Sequence, residues 1–131
     1  MKASRLKNMF YEIYYKYYRS MLIHSGDDFY SYIIAREVVV PQKAFNNPRE
    51  WDIFALLHEI GHVITNNPKQ KRCLQEYLAT QWAIREAKKI GFAVPQSFIT
   101  IYQNYIWKWR DTSLKCKGKN VPTKEELTLI Y

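Results

Sequence analysis

Apolar and polar positions alternate in two rhythms along this chain. From Arg5 to Ile23, Leu6, Met9, Phe10, Ile13, Tyr17 and Met21 recur every three or four residues, which predicts an amphipathic helix over 5–23. Ser25-Gly26-Asp27-Asp28 then reads as a turn. The stretches FYSYII and EVVVP are rich in β-branched and aromatic residues and predict one or two strands ending at Pro41. Helical rhythm returns after Asn47-Pro48. Asn47 is placed as N-cap, Pro48 as N1 and Glu50 as N3 of a helix through WDIFALLHEIGHVIT. Asn67-Pro68-Lys69-Gln70 repeats the device and predicts a helix over 68–89, with Gly91 as its stop. A further helix is expected over 95–110, then an exposed basic loop, DTSLKCKGKN, and a short helix capped by Thr123 and Glu126.

The resulting class is α+β: a mostly helical single domain over 1–131 with a small early β-sheet. Its core is expected at about 28–95, flanked by the N-terminal helix (5–23) and by a C-terminal helix and basic tail (95–131). With 131 residues the chain can bury a core without staples, and 47% apolar and 16% aromatic residues argue against disorder. Cys73 and Cys116 form neither a disulfide framework nor a C-x-x-C pair. No signal-peptide core or membrane-spanning run is present, so the expectation is a cytoplasmic protein with no membrane partner. The net charge of +8 comes from scattered residues and fits solubility, an acidic partner or nucleic acid.

Two of the three histidines lie in His58-Glu59-Ile60-Gly61-His62, an H-E-x-x-H string within the helical stretch. Residues four apart stand above one another on one helix face, so His58 and His62 can ligate one ion. Glu59 sits one step round, placed to deprotonate a water. Catalytic zinc usually keeps three protein ligands and one open position. If two helices meet at the turn 65–67, His58 and Glu76 lie nine residues either side of Asn67 and at the same height. Glu76 is thus the candidate third ligand. Cys73, one turn earlier, stays an alternative, and Glu86 falls roughly 15 Å too far along. The plainer account of Glu76 is a solvated surface carboxylate. A zinc ion in such a set acidifies water and polarises a carbonyl, while Glu59 carries the proton to the leaving amine.

The segment REVVVPQKAFNNPREWDIFALLHEIGHVI followed by EYLATQWA resembles the ImmA/IrrE metallopeptidase family. Members have a strand, a zincin-like helix with H-E-x-x-H, and a helix opening on E-x-x-A-x-x-[FW]-A, here Glu76 to Ala83. The resemblance covers roughly residues 30 to 95. It implies Zn2+ held by His58, His62 and Glu76, and Glu59 as catalytic base. Members are often encoded by phages or other mobile elements and act on helix-turn-helix repressors, so a protein substrate of that kind is implied. The Val38-Val39-Val40 segment would offer a sheet edge to an extended peptide.

Tyr77, Tyr102, Tyr105 and His24 are candidate oxyanion stabilisers, and Thr80 a candidate partner for Glu76. YEIYYKYY and YIWKWR read first as core faces of amphipathic helices, with Tyr105 and Trp109 on one face. Their alternative reading is a stacking surface for single-stranded nucleic acid. Two function classes therefore stand: a zinc peptidase acting on a cytoplasmic protein, and a non-catalytic regulator that keeps the fold and binds protein or nucleic acid. Glu59 favours the first, since binding requires no general base.

Overall fold

The most apolar stretch of the sequence becomes the central element of the fold. In this computed structural model, which describes residues 1–115 and 121–130, the order is α1 (Ala3–Tyr17), β1 (Leu22–Gly26), β2 (Tyr30–Tyr32), β3 (Glu37–Pro41), α2 (Gln42–Asn46), α3 (Glu50–Thr65), α4 (Arg72–Lys89) and α5 (Gln96–Lys115). α3 is buried on nearly every side from Asp52 to Val63, as an all-round apolar helix must be. Leu6, Met9, Phe10 and Ile13 of α1 join Ile23, Val38 and Val40 of the sheet and α3 in one continuous apolar cluster. The architecture is the expected mostly helical α+β arrangement with a small early sheet. Among the described residues no helix is long and apolar enough to cross a membrane.

Several boundaries move. The first helix ends at Tyr17, six residues before the expected end. Leu22–Gly26 instead pairs in parallel with β3, and burial alternates there, with Met21 and Ile23 inside and Leu22 outside. The expected turn at 25–28 is therefore confined to 27–28. β2 pairs antiparallel with β3, giving the order β1-β3-β2. The Val38–Val40 strand is central, so it offers no free edge; β2 does.

Neither Asn-Pro pair opens a helix; Asn47 instead closes α2 as its C-cap. α3 starts at Glu50 with Arg49 as N-cap, because the Asp52 carboxylate accepts from the Arg49 backbone N–H at 2.8 Å and from its guanidinium. Asn67 and Gln70 close a local turn, Asn67 N–H to Gln70 Oε1 at 2.9 Å, and α4 begins only at Arg72. Gly91, at φ +78°, ends α4: Phe92 N–H reaches Ala87 O and Gly91 N–H reaches Lys88 O. α5 runs five residues past its expected end, so 111–115 are helical; 116–120, with Cys116, lie outside the described residues. The Thr123–Glu126 box forms but caps a single turn.

α3 and α4 run antiparallel and make the most extensive contact in the molecule. Gly61 permits it: a Cβ there would stand 2.6 Å from Ala79 O and 3.2 Å from Ala79 Cα. Since the obstacle is backbone, it has little room to yield. Gly61→Ala is expected to lower unfolding free energy by about 1–3 kcal/mol in urea titrations.

On the far side of α4, Glu86 accepts from Lys16 Nζ at 2.7 Å and from Tyr17 Oη at 3.0 Å, clamping α1 to α4. Burial pushes the Glu86 carboxyl up, but the hydrogen bonds from Lys16 and Tyr17 and the charges of Lys16 and Lys89 outweigh it and hold it below its ordinary value. A carboxyl depressed on folding stabilises fully above its unfolded pKa and loses that contribution as pH falls through the folded one. Glu86→Gln should thus cost about 1–3 kcal/mol at neutral pH. The gap to wild type, followed by urea melts, should close as the solution is acidified.

Candidate metal centre

The H-E-x-x-H string sits on α3 at the height of the Gly61 contact, and the contact brings Glu76 of α4 against it. Glu76 Oε2 stands 3.1 Å from His58 Nε2 and 3.3 Å from His62 Nε2. All three residues are buried, Glu76 to 1% exposure, which overturns its plainer reading as a surface carboxylate. His58 Nε2 and Glu76 Oε2 are buried without a hydrogen-bond partner. Ligand atoms about 2 Å from a tetrahedral ion lie roughly 3.3 Å apart, so the spacing and the orphaned lone pairs both fit a zinc ion. The ligand atoms of His58, Glu59 and His62 also lie within 4.8 Å of one another.

The groups around these ligands set their chemistry. Asn66 Nδ2 donates to Thr65 Oγ1 and to Gln75 O, both at 3.0 Å, which fixes the amide and turns Asn66 Oδ1 toward His62 Nδ1. An acceptor there assigns the proton to Nδ1 and leaves the Nε2 lone pair facing Glu76. Arg72 Nη2 bonds the other Glu76 oxygen, Oε1, at 3.0 Å, and its guanidinium lies over the Trp109 ring. One carboxylate oxygen is thereby tied to Arg72 and the other aimed at the imidazoles. Thr80 plays a different part from the expected one: its hydroxyl donates to the Glu76 backbone carbonyl at 2.7 Å.

Burial, then the neighbouring His62 and Arg72, holds the His58 imidazole well below its ordinary value, so it stays neutral. Burial pulls His62 down too, but the adjoining Glu76 carboxylate, then Glu59 and Asn66, outweigh it and raise its value; in the neutral form of the ring the proton stays on Nδ1. Burial raises the Glu59 carboxyl against the pull of His62 and of the Ser31 hydroxyl. Tyr102 is pushed far up by burial and by the charges of Glu59 and Glu76. It therefore remains a proton donor.

The site opens into a cleft of about 430 Å³ walled by Phe29–Ser31 around β2 on one side and Ile101, Tyr102 and Tyr105 of α5 on the other. Of the four candidate oxyanion stabilisers, Tyr102 and Tyr105 line it. Tyr77 instead receives Gln81 Nε2, and His24 pairs with Glu37 on the sheet. Tyr105 is half exposed in the cleft and touches Trp109 edge-on, so of that pair only Trp109 packs against the core. Cys73 is buried in the apolar core and takes no part in the cleft. Glu86 is held by Lys16, as its distance requires. No described residue of the tail at 121–130 lines the cleft.

Asn66, Arg72 and Ser31 were not singled out from the sequence. Arg72 had a legible signal, since opposite charges four residues apart meet on one helix face. No protein-family profile, curated protein or solved structure matches the chain.

Asn66→Ala frees the His62 ring while leaving all three ligand side chains in place. Zinc affinity, read by competition with a chromophoric chelator, is expected to fall about 10–100-fold.

Proposed function

We propose that this chain is a zinc-dependent peptidase that hydrolyses a peptide bond in a cytoplasmic protein. The observation that carries the reading is the convergence of three buried ligand atoms, His58 Nε2, His62 Nε2 and Glu76 Oε2, beside Glu59 in an open cleft. A zinc ion held by those residues supplies Lewis acidity toward a carbonyl and acidifies a water.

The chain's own groups do the rest. Glu59, its proton affinity raised by burial, takes a proton from the attacking water and returns it to the leaving amine. Tyr102, kept protonated, donates a hydrogen bond to the carbonyl oxygen as negative charge builds on it. The free edge of β2 pairs with an extended substrate backbone and holds it along the cleft. The resemblance to ImmA/IrrE metallopeptidases supports the same ligand set and adds a substrate class, a helix-turn-helix repressor encoded with a mobile element.

Purified protein is expected to carry one zinc per chain, lost in His58→Ala. Glu59→Gln should keep the zinc and lose turnover by about 10²–10⁴-fold on a repressor substrate. A folded chain that binds no metal, or a Glu59→Gln variant of full activity, would sink the reading.

A further inference from the structure

A ladder of tyrosines runs along one flank of α1, from Tyr11 and Tyr14, packed partly against the core, out to the exposed Tyr15 and Tyr18. Leu6, Met9, Phe10 and Ile13 fill the buried stripe, so the core does not account for the exposure of the others. Tyr15 is 64% exposed and Tyr18 40%. The rings touch in series: Tyr11 to Tyr14 at 6.1 Å, Tyr14 edge-on to Tyr15 at 5.3 Å, and Tyr14 stacked on Tyr18 at 5.8 Å with planes 12° apart. The Arg19 guanidinium lies over the Tyr18 ring at 5.6 Å. Asn8, Tyr11, Glu12, Tyr15 and Lys16 line a shallow groove beside the ladder.

We propose that this face binds single-stranded nucleic acid, with bases stacking on Tyr15 and Tyr18 and phosphates meeting Lys7 and Arg19. Charge favours this occupant: residues 2–19 carry Lys2, Arg5, Lys7, Lys16 and Arg19 against the single acid Glu12. Lys16 is committed to Glu86; Lys7 stands at one end of the ladder and Arg19, whose Nε donates to Tyr18 Oη at 3.0 Å, at the other. The chemistry of the face argues against a protein or membrane partner. Between Lys7 and Arg19 its exposed positions hold Asn8, Glu12, Tyr15, Lys16 and Tyr18 and no aliphatic side chain, and the helix's aliphatic stripe is already spent in the core. Stacking accepts any base but needs one that is not already stacked in a duplex, which selects single strands. From Lys7 to the end of α1 at Tyr17 the face spans roughly 15 Å at 1.5 Å per residue. That suits the short end of single-strand site sizes, about four nucleotides.

The proposal is independent of the zinc site, and its test does not pass through catalysis. Fluorescence anisotropy at low salt would compare labelled oligo(dT) and oligo(U) of about fifteen nucleotides with a duplex of equal length. The expected result is tighter binding of single strands, weakening as salt rises. Tyr15→Ala/Tyr18→Ala, at exposed positions, should weaken single-strand binding at least tenfold with an unchanged circular-dichroism melt. Glu12→Gln should tighten it a few-fold. The two oligomers show whether DNA or RNA is preferred, and either preference supports the proposal. Three results would overturn it: no single-strand binding, equal affinity for duplex, or a double variant that binds as wild type does. A double variant that changes only oligomeric state on size exclusion would likewise overturn it, in favour of self-association.

Discussion

The site depends on two helix backbones coming close at a single point. Gly61 has no side chain, so α3 lies against Ala79 of α4 with no room for a methyl group between them. Glu76 is one turn before Ala79 on α4, and His58 and His62 flank Gly61 on α3. The spacing of the backbones therefore sets the spacing of the ligands. A wider crossing would still bury an apolar core, but it would carry the carboxylate out of reach of the imidazoles.

That closeness places four titratable groups in little water, and the chain offsets the cost with directed contacts. Arg72 neutralises one oxygen of Glu76 from the first residue of α4, and Trp109 of α5 backs its guanidinium. Asn66, at the end of α3, reaches both its own helix and the backbone of Gln75 and so turns the His62 ring. Glu76 is thus held from within its own helix, one turn earlier, and His62 from the junction that follows α3. His58 is placed differently: its Nδ1 is buried with no hydrogen-bond partner, and its ring lies between Tyr102 at 4.3 Å and His62 at 4.5 Å.

Much of this was legible in the sequence where local rhythm and final packing agree. The α3 and α4 helices, the Gly91 stop and the equal height of His58 and Glu76 follow from periodicity and counting. The counting survives a six-residue connection because the turn 67–70 folds back on itself instead of lengthening either helix. Errors arose where a competing partner decided. Arg49 took the N-cap position from Asn47 because the Asp52 carboxylate meets both its backbone N–H and its guanidinium. Residues 22–26 became a strand because β3, distant in sequence, offered a parallel edge that no local pattern announces. The orienting residues Asn66 and Ser31 are ordinary in type and gain meaning only from position. The oxyanion candidates could not be ranked from sequence because which tyrosines face the cleft depends on the docking of α5.

The C-terminal segment bears on that docking. Gln103 of α5 donates to Leu127 O and accepts from Leu129 N–H, while Gln81 of α4 makes the weaker reciprocal pair with Thr128 O and Ile130 N–H. Two glutamines on neighbouring helices thus grip one strand of backbone, and Leu127 and Leu129 are buried with it. The tail behaves as a buckle on the outside of the molecule, fastening the helix that carries Tyr102 and Tyr105. Residues 127–130 thus bear on the cleft without lining it, by holding the helix that forms one of its walls.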